Sequence, residues 1–246
     1  MSIVSSDLVA YNALNQPVDD ASAAGGGIDA KSRVVFTQLT ATAKVTFQST
    51  DAGDTGNVTI TGRDATGRVI SEVLVMGGAA ETASVNSYAR LHSVRMAGDA
   101  IGTVTVRQGM GGSTITTIPA GERGFAALFQ QSSSGVAPVT RYDKLFFKNA
   151  TGTGLTLFAP TVSLALDATG DYEIGLAAAV NDAVAIADRV SAPAGISFVG
   201  LNDPVDVPGG VLDAGDAIGV WVKQTLAANE GAHNTSITGV LSGQTV

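Results

Sequence analysis

Few residues of this sequence have side chains suited to acid–base chemistry. Histidine occurs twice, as His92 and His233, and cysteine does not occur. His92 lies in the alternating segment 91–96, where it shares one face with Val94 and Met96, so we interpret it as a satisfied or half-buried histidine rather than a general base. His233 lies in a polar segment typical of a solvated turn. The lack of cysteine excludes thiol catalysis, disulfides and cysteine–zinc sites.

Sequence motifs that carry catalysis or bind cofactors are also missing. There is no G-x-S-x-G elbow, no H-E-x-x-H or EF-hand pattern and no phosphate-binding G-x-x-x-x-G-K-[ST]. The glycine-rich stretch 109–112 lacks the strand-then-helix context that a dinucleotide site requires. We therefore expect a protein that is not an enzyme, with no catalytic residue and no cofactor.

Acidic residues cluster in three glycine-containing loops. The clusters are Asp51, Asp54 and Asn57; Asp167 and Asp171; and Asp213 and Asp216. Calcium requires six to eight oxygen ligands, and no cluster supplies that number locally. Asp and Gly are also the residues that turns use for their own hydrogen bonds and backbone angles. We predict turn chemistry here and no metal site, with a structural cation as the alternative.

Charge and hydropathy limit the classes of partner. The 246 residues carry a formal net charge of −8, which argues against nucleic acid because phosphate binding needs a basic face. The sequence contains no apolar run long enough to predict a membrane span, and its first residues lack the pattern of a secretory signal. We expect a protein made in a cytoplasm that binds neither nucleic acid nor membrane.

Alternation of apolar and polar residues predicts strands in both halves of the chain. The clearest hairpin pairs 58–62 with 68–76 across the turn Asp64-Ala65-Thr66-Gly67. The same four residue types recur at 167–170, which we interpret as a recurrent turn rather than as evidence of duplication. Later strands are expected at 142–148, 155–158, 161–166, 218–223 and 236–241. Pro160 must lie at a sheet edge or bulge.

Two features of the second half are Trp221 and the segment 175–190. Trp221, the single tryptophan, lies on an alternating strand and is expected to be a core residue. Segment 175–190 places apolar residues at helical spacing, but Asn181 and Asp182 interrupt it and Pro193 follows. Both a helix and a strand–loop–strand arrangement remain open for this segment.

These patterns predict an all-β protein with two antiparallel β-sandwich or barrel domains and an extended N-terminal arm. The expected limits are 1–30 for the arm, 31–130 for the first domain and 136–246 for the second, with a Ser/Gly-rich linker between the domains. Gly25, Gly26 and Gly27 suggest flexibility in the arm. Its apolar residues suggest instead that it orders on a neighbouring subunit. The candidate contact residues are Ile3, Val4, Leu8, Val9, Tyr11 and Leu14.

Four segments carry a resemblance to known proteins. PVDVPGGVLDAGDAIGVWVK (204–223) resembles immunoglobulin-like sandwich modules, and with YDKLFFKN (142–149) it is similar to structural proteins of tailed bacteriophages. NVTITGRDATGRVISE (57–72) resembles hairpins of small phage virion proteins, and PVDDASAAGGGID (17–29) resembles their N-termini. The resemblance implies immunoglobulin-like modules and a structural role in the virion.

Among virion proteins, the resemblance best fits a capsid decoration or cement protein on the capsid surface, made in the host cytoplasm. The implied partners are the major capsid protein or other virion proteins and further copies of the chain, with a trimer as the expected oligomer. A tail-tube or baseplate protein is one alternative. A carbohydrate-binding adhesin module is another, although few Trp and Tyr residues are present to stack on a sugar.

Overall fold

The computed structural model describes residues 3–130, 134–167, 169–231 and 237–245. Strands dominate these ranges, and no α-helix occurs within them. Nearly all strand pairs are antiparallel, the exception being the parallel pair of Gly124 with Ser32 and Phe125 with Arg33. The predicted all-β class is confirmed.

The strands are numbered in chain order. The first ten are β1 (Leu8–Asn15), β2 (Ala24–Arg33), β3 (Val45–Ser49), β4 (Asn57–Arg63), β5 (Val69–Val75), β6 (Thr82–Ala83), β7 (Arg90–Met96), β8 (Val104–Gln108), β9 (Thr114–Ile118) and β10 (Gly124–Ala126). The others are β11 (Val139–Asn149), β12 (Leu157–Asp167), β13 (Tyr172–Val180), β14 (Ala185–Ile186), β15 (Val205–Asp206), β16 (Val211–Leu212), β17 (Ala217–Leu226) and β18 (Ile237–Gln244).

The chain forms two compact units. Unit 1 consists of Met1–Asp29 together with Leu128–Val246, and unit 2 consists of Ala30–Ala127. These limits differ from the expected ones mainly at the N-terminus, since residues 1–29 belong to the same unit as the second half of the chain. The linker expected near 130–135 includes residues 131–133, which lie outside the described ranges.

Unit 2 contains two sheets that contribute to one core. Strands β10, β7, β4 and β5 are neighbours in that order in the first sheet, and β6, β3, β8 and β9 form the second. The predicted hairpin is present as β4 and β5, with Gly67 at a φ of +83° closing its turn. Alternate residues of both sheets are buried together, among them Val58, Ile60, Phe47 and Val106.

Unit 1 is organised around β11. The order of neighbours is β13, β17, β11, β1 and β2, and a smaller sheet joins β15, β16 and β18 to β12. Residues 141–146 of β11 are all buried, so both faces of this strand are covered. Trp221 lies on β17 with 1% of its surface exposed, as expected for a core residue.

The N-terminal segment is part of the unit 1 sheet. β1 runs antiparallel to β11, from the pair Leu8 and Asn149 to the pair Asn12 and Leu145. Residues 11–13 are all buried, so this largely apolar segment packs within its own chain. The expectation of a free arm over residues 1–30 is corrected in this respect.

The glycine triplet of this segment is packed rather than flexible. Gly25 and Gly26 are buried in β2, and Gly25 pairs with Ala185 of β14. Gly25 has a φ of +83°, and a Cβ built there would lie 2.5 Å from Cη2 of Trp221. Glycine is needed because its lack of a side chain permits both this backbone angle and the close approach of the indole.

Local predictions in the second half agree with the structure. Pro160 lies within β12 next to a register shift between Phe158 and Thr161, which is the bulge that its missing N–H requires. The open segment 175–190 adopts the strand–loop–strand arrangement, as β13 and β14. In the first half, the glycine-rich stretch 109–112 forms the turn between β8 and β9.

Candidate interaction surfaces

A buried ion pair fastens the 188–190 loop to β11. The side chains of Arg189 and Asp143 are at most 1% exposed, and the two guanidinium–carboxylate hydrogen bonds measure 3.0 and 3.2 Å. Arg189 also donates to the carbonyl of Gln130 at 2.8 Å, and the N–H of Phe129 donates to Asp143 at 2.5 Å. Burial raises the pKa of Asp143, and the charge of Arg189 opposes that rise. These hydrogen bonds offset the cost of burying two charges.

Lys144, the next residue of β11, is enclosed in the same unit. Its fully buried amine donates to Oδ2 of Asp182 at 2.5 Å and to the carbonyls of Gly26 and Val184 at 3.1 and 3.2 Å. The ring of Trp221 lies 5.3 Å from the amine, at cation–π distance. Burial lowers the pKa of Lys144, while Asp182 opposes the shift. All three N–H donors have an acceptor, so Lys144 joins β11 to both the 24–27 segment and the 182–184 loop.

A third charged residue of β11 binds the loop between β1 and β2. Arg141 forms a two-pronged hydrogen bond with Asp20, at 2.5 and 2.8 Å. The guanidinium holds the pKa of Asp20 below its usual range. Arg141, Asp143 and Lys144 are all buried and are therefore not available to a ligand at the surface. We assign them a structural role, in which they hold loops of unit 1 against β11. Sequence reasoning missed this cluster, whose only signal is a run of charges inside an aromatic strand.

His92 is fully buried, beyond the satisfied or half-buried position that was predicted. It is 1% exposed on β7, on the same buried side as Val94 and Met96. Burial lowers the pKa of His92 to about 4, and the charges of Arg90 and Arg63 lower it further. Its Nδ1 has no hydrogen-bond partner among the described residues. His233 lies outside the described ranges.

The aspartates of these turns and loops accept hydrogen bonds from the chain itself, some of them local and some distant. Asp54 is 3% exposed and accepts from the Ser49 hydroxyl and from the N–H groups of Ile101 and Gly102. Burial alone would raise the pKa of Asp54, but these hydrogen bonds outweigh burial and hold the pKa below its usual range. Asp64 and Asp167 each accept from the N–H two residues later, which supports a shared turn solution.

The candidate contact residues of the N-terminal segment divide into two groups. Tyr11 is buried, at 7% exposure, and Ile3, Leu8 and Val9 are half-buried. Val4 and Leu14 are exposed, at 55% and 64%. The structure therefore leaves these two as the residues of the group most available to a neighbour.

The outer face of β5 carries apolar side chains that sequence reasoning had not singled out. Val73 and Val75 are 62% and 63% exposed, while Leu74 between them packs against the unit 2 core. The strand pairs with β4 on one side, and it ends the order of its sheet. The signal was present in the sequence, since Val69, Ser71, Val73 and Val75 alternate with core residues.

The aromatic residues that most often stack on sugars are buried. All four tyrosines and Trp221 are at most 8% exposed. Among the described residues, Phe158 is the most exposed aromatic side chain, at 40%. A sugar-stacking platform built from Tyr and Trp is therefore absent from the surface that the structure describes.

Three further searches, for a metal site, for a membrane-spanning helix and for similar proteins, found no match that would indicate a function of this chain. Within the described ranges, no three His, Asp or Glu side chains lie close enough together to hold a metal ion. No helix in the same ranges is long and apolar enough to cross a membrane. The chain matches no protein-family model, no curated protein and no solved structure at a significant level.

Proposed function

We propose that this chain is a non-enzymatic structural protein of a tailed-bacteriophage virion, of the capsid decoration type. The observation that carries the proposal is the exposure of apolar side chains, among them Val73 and Val75 on β5 and Val4 and Leu14 in the N-terminal segment, on a chain whose charged cluster is buried. The partners in this proposal are the major capsid protein or other virion proteins. Each unit is proposed to be a β-sandwich, immunoglobulin-like in unit 1.

The physical basis is burial of these apolar sites against neighbours. Removing apolar surface from water contributes about 25 cal/mol per Å², so a few exposed valines and leucines give only a modest contact. Repetition over a capsid lattice, and over the copies of an oligomer such as the expected trimer, multiplies modest contacts into high occupancy. The net charge of −8 favours solubility before assembly.

The test uses the purified chain and preformed capsids of its phage that lack it. We expect saturable co-sedimentation with the capsids, reduced at least about tenfold in affinity in the double variant Val4→Ser, Leu14→Ser. Val136→Ser, at a valine that is 91% exposed in unit 1, is the matched control and should bind normally. Deleting residues 1–24 is a poor test, because it would remove β1 from its sheet.

Absence of binding by the folded wild-type chain would refute the decoration role. Equal loss of binding in the Val136→Ser control would refute the assigned contact residues. Labelling the protein in intact virions separates the tail-tube or baseplate alternative, which predicts label on the tail instead of the head. No observation in the structure favours the adhesin alternative.

A further inference from the structure

The edge of β5 lacks the features that protect sheet edges. Natural edge strands are usually interrupted by Lys, Pro, a bulge or an inward charge, which prevent pairing with another chain. β5 has the sequence VISEVLV, and its register with β4 is unbroken over seven residues. Its one charge, Glu72, is occupied, because its carboxylate accepts the N–H groups of Val85 and Asn86 at 2.9 and 2.8 Å.

A second edge strand lies in unit 1, and its register with β12 shifts between Phe158 and Thr161 and between Leu164 and Leu166. β18 has the sequence ITGVLSGQ, with no charged residue and no proline, and among the described residues it pairs with β12 alone. Its side chains are half-buried or exposed over its whole length. Gly243 permits a close approach to Leu157, since a Cβ there would be 2.5 Å from Cγ of that side chain.

The two edges belong to units of opposite charge. Unit 2 contains nine basic and seven acidic residues, for a net charge of +2, whereas unit 1 contains five basic and fifteen acidic residues, for a net charge of −10. Contact between the unit 1 regions of two copies would bring two charges of −10 together, and contact between their unit 2 regions would bring two charges of +2 together. Contact between unlike units is electrostatically complementary, which favours the encounter and selects the orientation.

We propose that copies of this chain associate head to tail, with β5 of one copy pairing with β18 of the next to extend one sheet. The occupant of the β5 edge is thus a second copy of this chain. Main-chain hydrogen bonds supply the affinity, and the neutral side chains of both strands permit close pairing. A contact between two different surfaces either closes a ring or propagates as a filament. The inference does not depend on the virion assignment.

The test is disulfide capture, which the absence of native cysteine makes specific. A tagged Val73→Cys chain is mixed with an untagged chain carrying Thr238→Cys, Val240→Cys or Ser242→Cys and is oxidised gently. Because strand side chains alternate, these three positions share a face and scan the unknown register. We expect the mixed dimer to exceed the Val73→Cys homodimer by at least about fivefold at one of them. A disulfide requires a short Cα separation, which pairing of the two strands would provide.

In the control, the untagged chain carries Val136→Cys in place of a cysteine on β18. Val136 is 91% exposed and lies in the same unit as β18. A mixed dimer no more abundant than with this control would overturn the proposal, as would a dominant Val73→Cys homodimer. Sedimentation velocity of the uncrosslinked chain is the second measurement. Association should weaken at high ionic strength and fall about tenfold or more in Val73→Lys, which adds an edge lysine. A wild-type chain that stays monomeric at millimolar concentration and low salt would also refute head-to-tail association.

Discussion

The ion pair between Asp143 and Arg189 is the contact whose loss should cost this protein most. Asp143→Ala leaves a buried guanidinium without its carboxylate, and we expect the free energy of unfolding to fall by about 3–5 kcal/mol. Glu173→Ala breaks the more exposed pair with Lys223 in the same unit and should cost less than about 1 kcal/mol. Urea denaturation of both variants measures the difference. Equal losses would show that the buried cluster does not fasten unit 1.

His92 gives a second residue-scale prediction, of pH dependence. Its pKa is about 4 in the folded chain against 6.5 in the reference state, so the unfolded chain takes up the proton first as the pH falls. The stability that neutral His92 contributes is complete above pH 6.5 and is lost between pH 6.5 and about 4. The loss should reach about 3 kcal/mol, at about 1.4 kcal/mol per pKa unit.

The measurement is the free energy of unfolding across that pH range in the wild type and in His92→Leu. Leucine fits an apolar site and does not titrate, so the curve should be flatter in the variant. His233 is present in both chains, and the difference between the curves therefore isolates His92. Parallel curves would contradict the assignment of a buried neutral histidine.

At the scale of elements, β1 should behave as an integral strand that is buried over residues 11–13 and exposed near its end. Tyr11 is 7% exposed and Leu14 is 64% exposed. Tyr11→Ala should therefore destabilise the protein by about 3 kcal/mol, as for other large side chains removed from a core. Leu14→Ala should change stability by less than about 0.5 kcal/mol, as at ordinary surface sites. Thermal and urea unfolding test both variants, and a neutral Tyr11→Ala would favour the free arm.

Elements set by local signals could be predicted from the sequence, and those set by distant contacts could not. The β4–β5 hairpin was predictable because its turn and its alternation lie within twenty residues. The position of β1 was not, since its partner Phe146 lies far along the chain from Tyr11. The glycine triplet was misinterpreted for the same reason, because its constraint comes from Trp221.

Residues of the candidate surfaces also divide into those that local sequence patterns could predict and those that they could not. His92 and Trp221 were predicted as buried or half-buried because strand alternation places them beside apolar neighbours. The exposed valines of β5 show the same alternation, but the sequence does not reveal which face of a strand lacks a covering layer. The partners of Lys144 come from segments more than thirty residues away on either side, so no local pattern could identify them.

At the scale of the whole molecule, the two units differ in how the chain builds them. Unit 2 is one continuous segment, Ala30–Ala127, whereas unit 1 needs both Met1–Asp29 and Leu128–Val246. The shorter segment supplies β1 and the Gly26 carbonyl that accepts from Lys144. Folding of unit 1 therefore depends on residues that come before unit 2 in the chain.

This discontinuity predicts different fates for two fragments. Fragment 30–127 should fold alone and unfold cooperatively, because it retains strands β3 to β10 and the core that they share. Fragment 128–246 should remain unfolded or aggregate, since β11 would lose its β1 neighbour and Lys144 one of its acceptors. Adding a peptide of residues 1–29 should restore dispersed NMR spectra and cooperative unfolding, whereas a peptide with Tyr11→Ala should do so only at higher concentration. A native-like spectrum from 128–246 alone would contradict the role given to the N-terminal segment, because β1 would then be an accessory to a unit that is already complete.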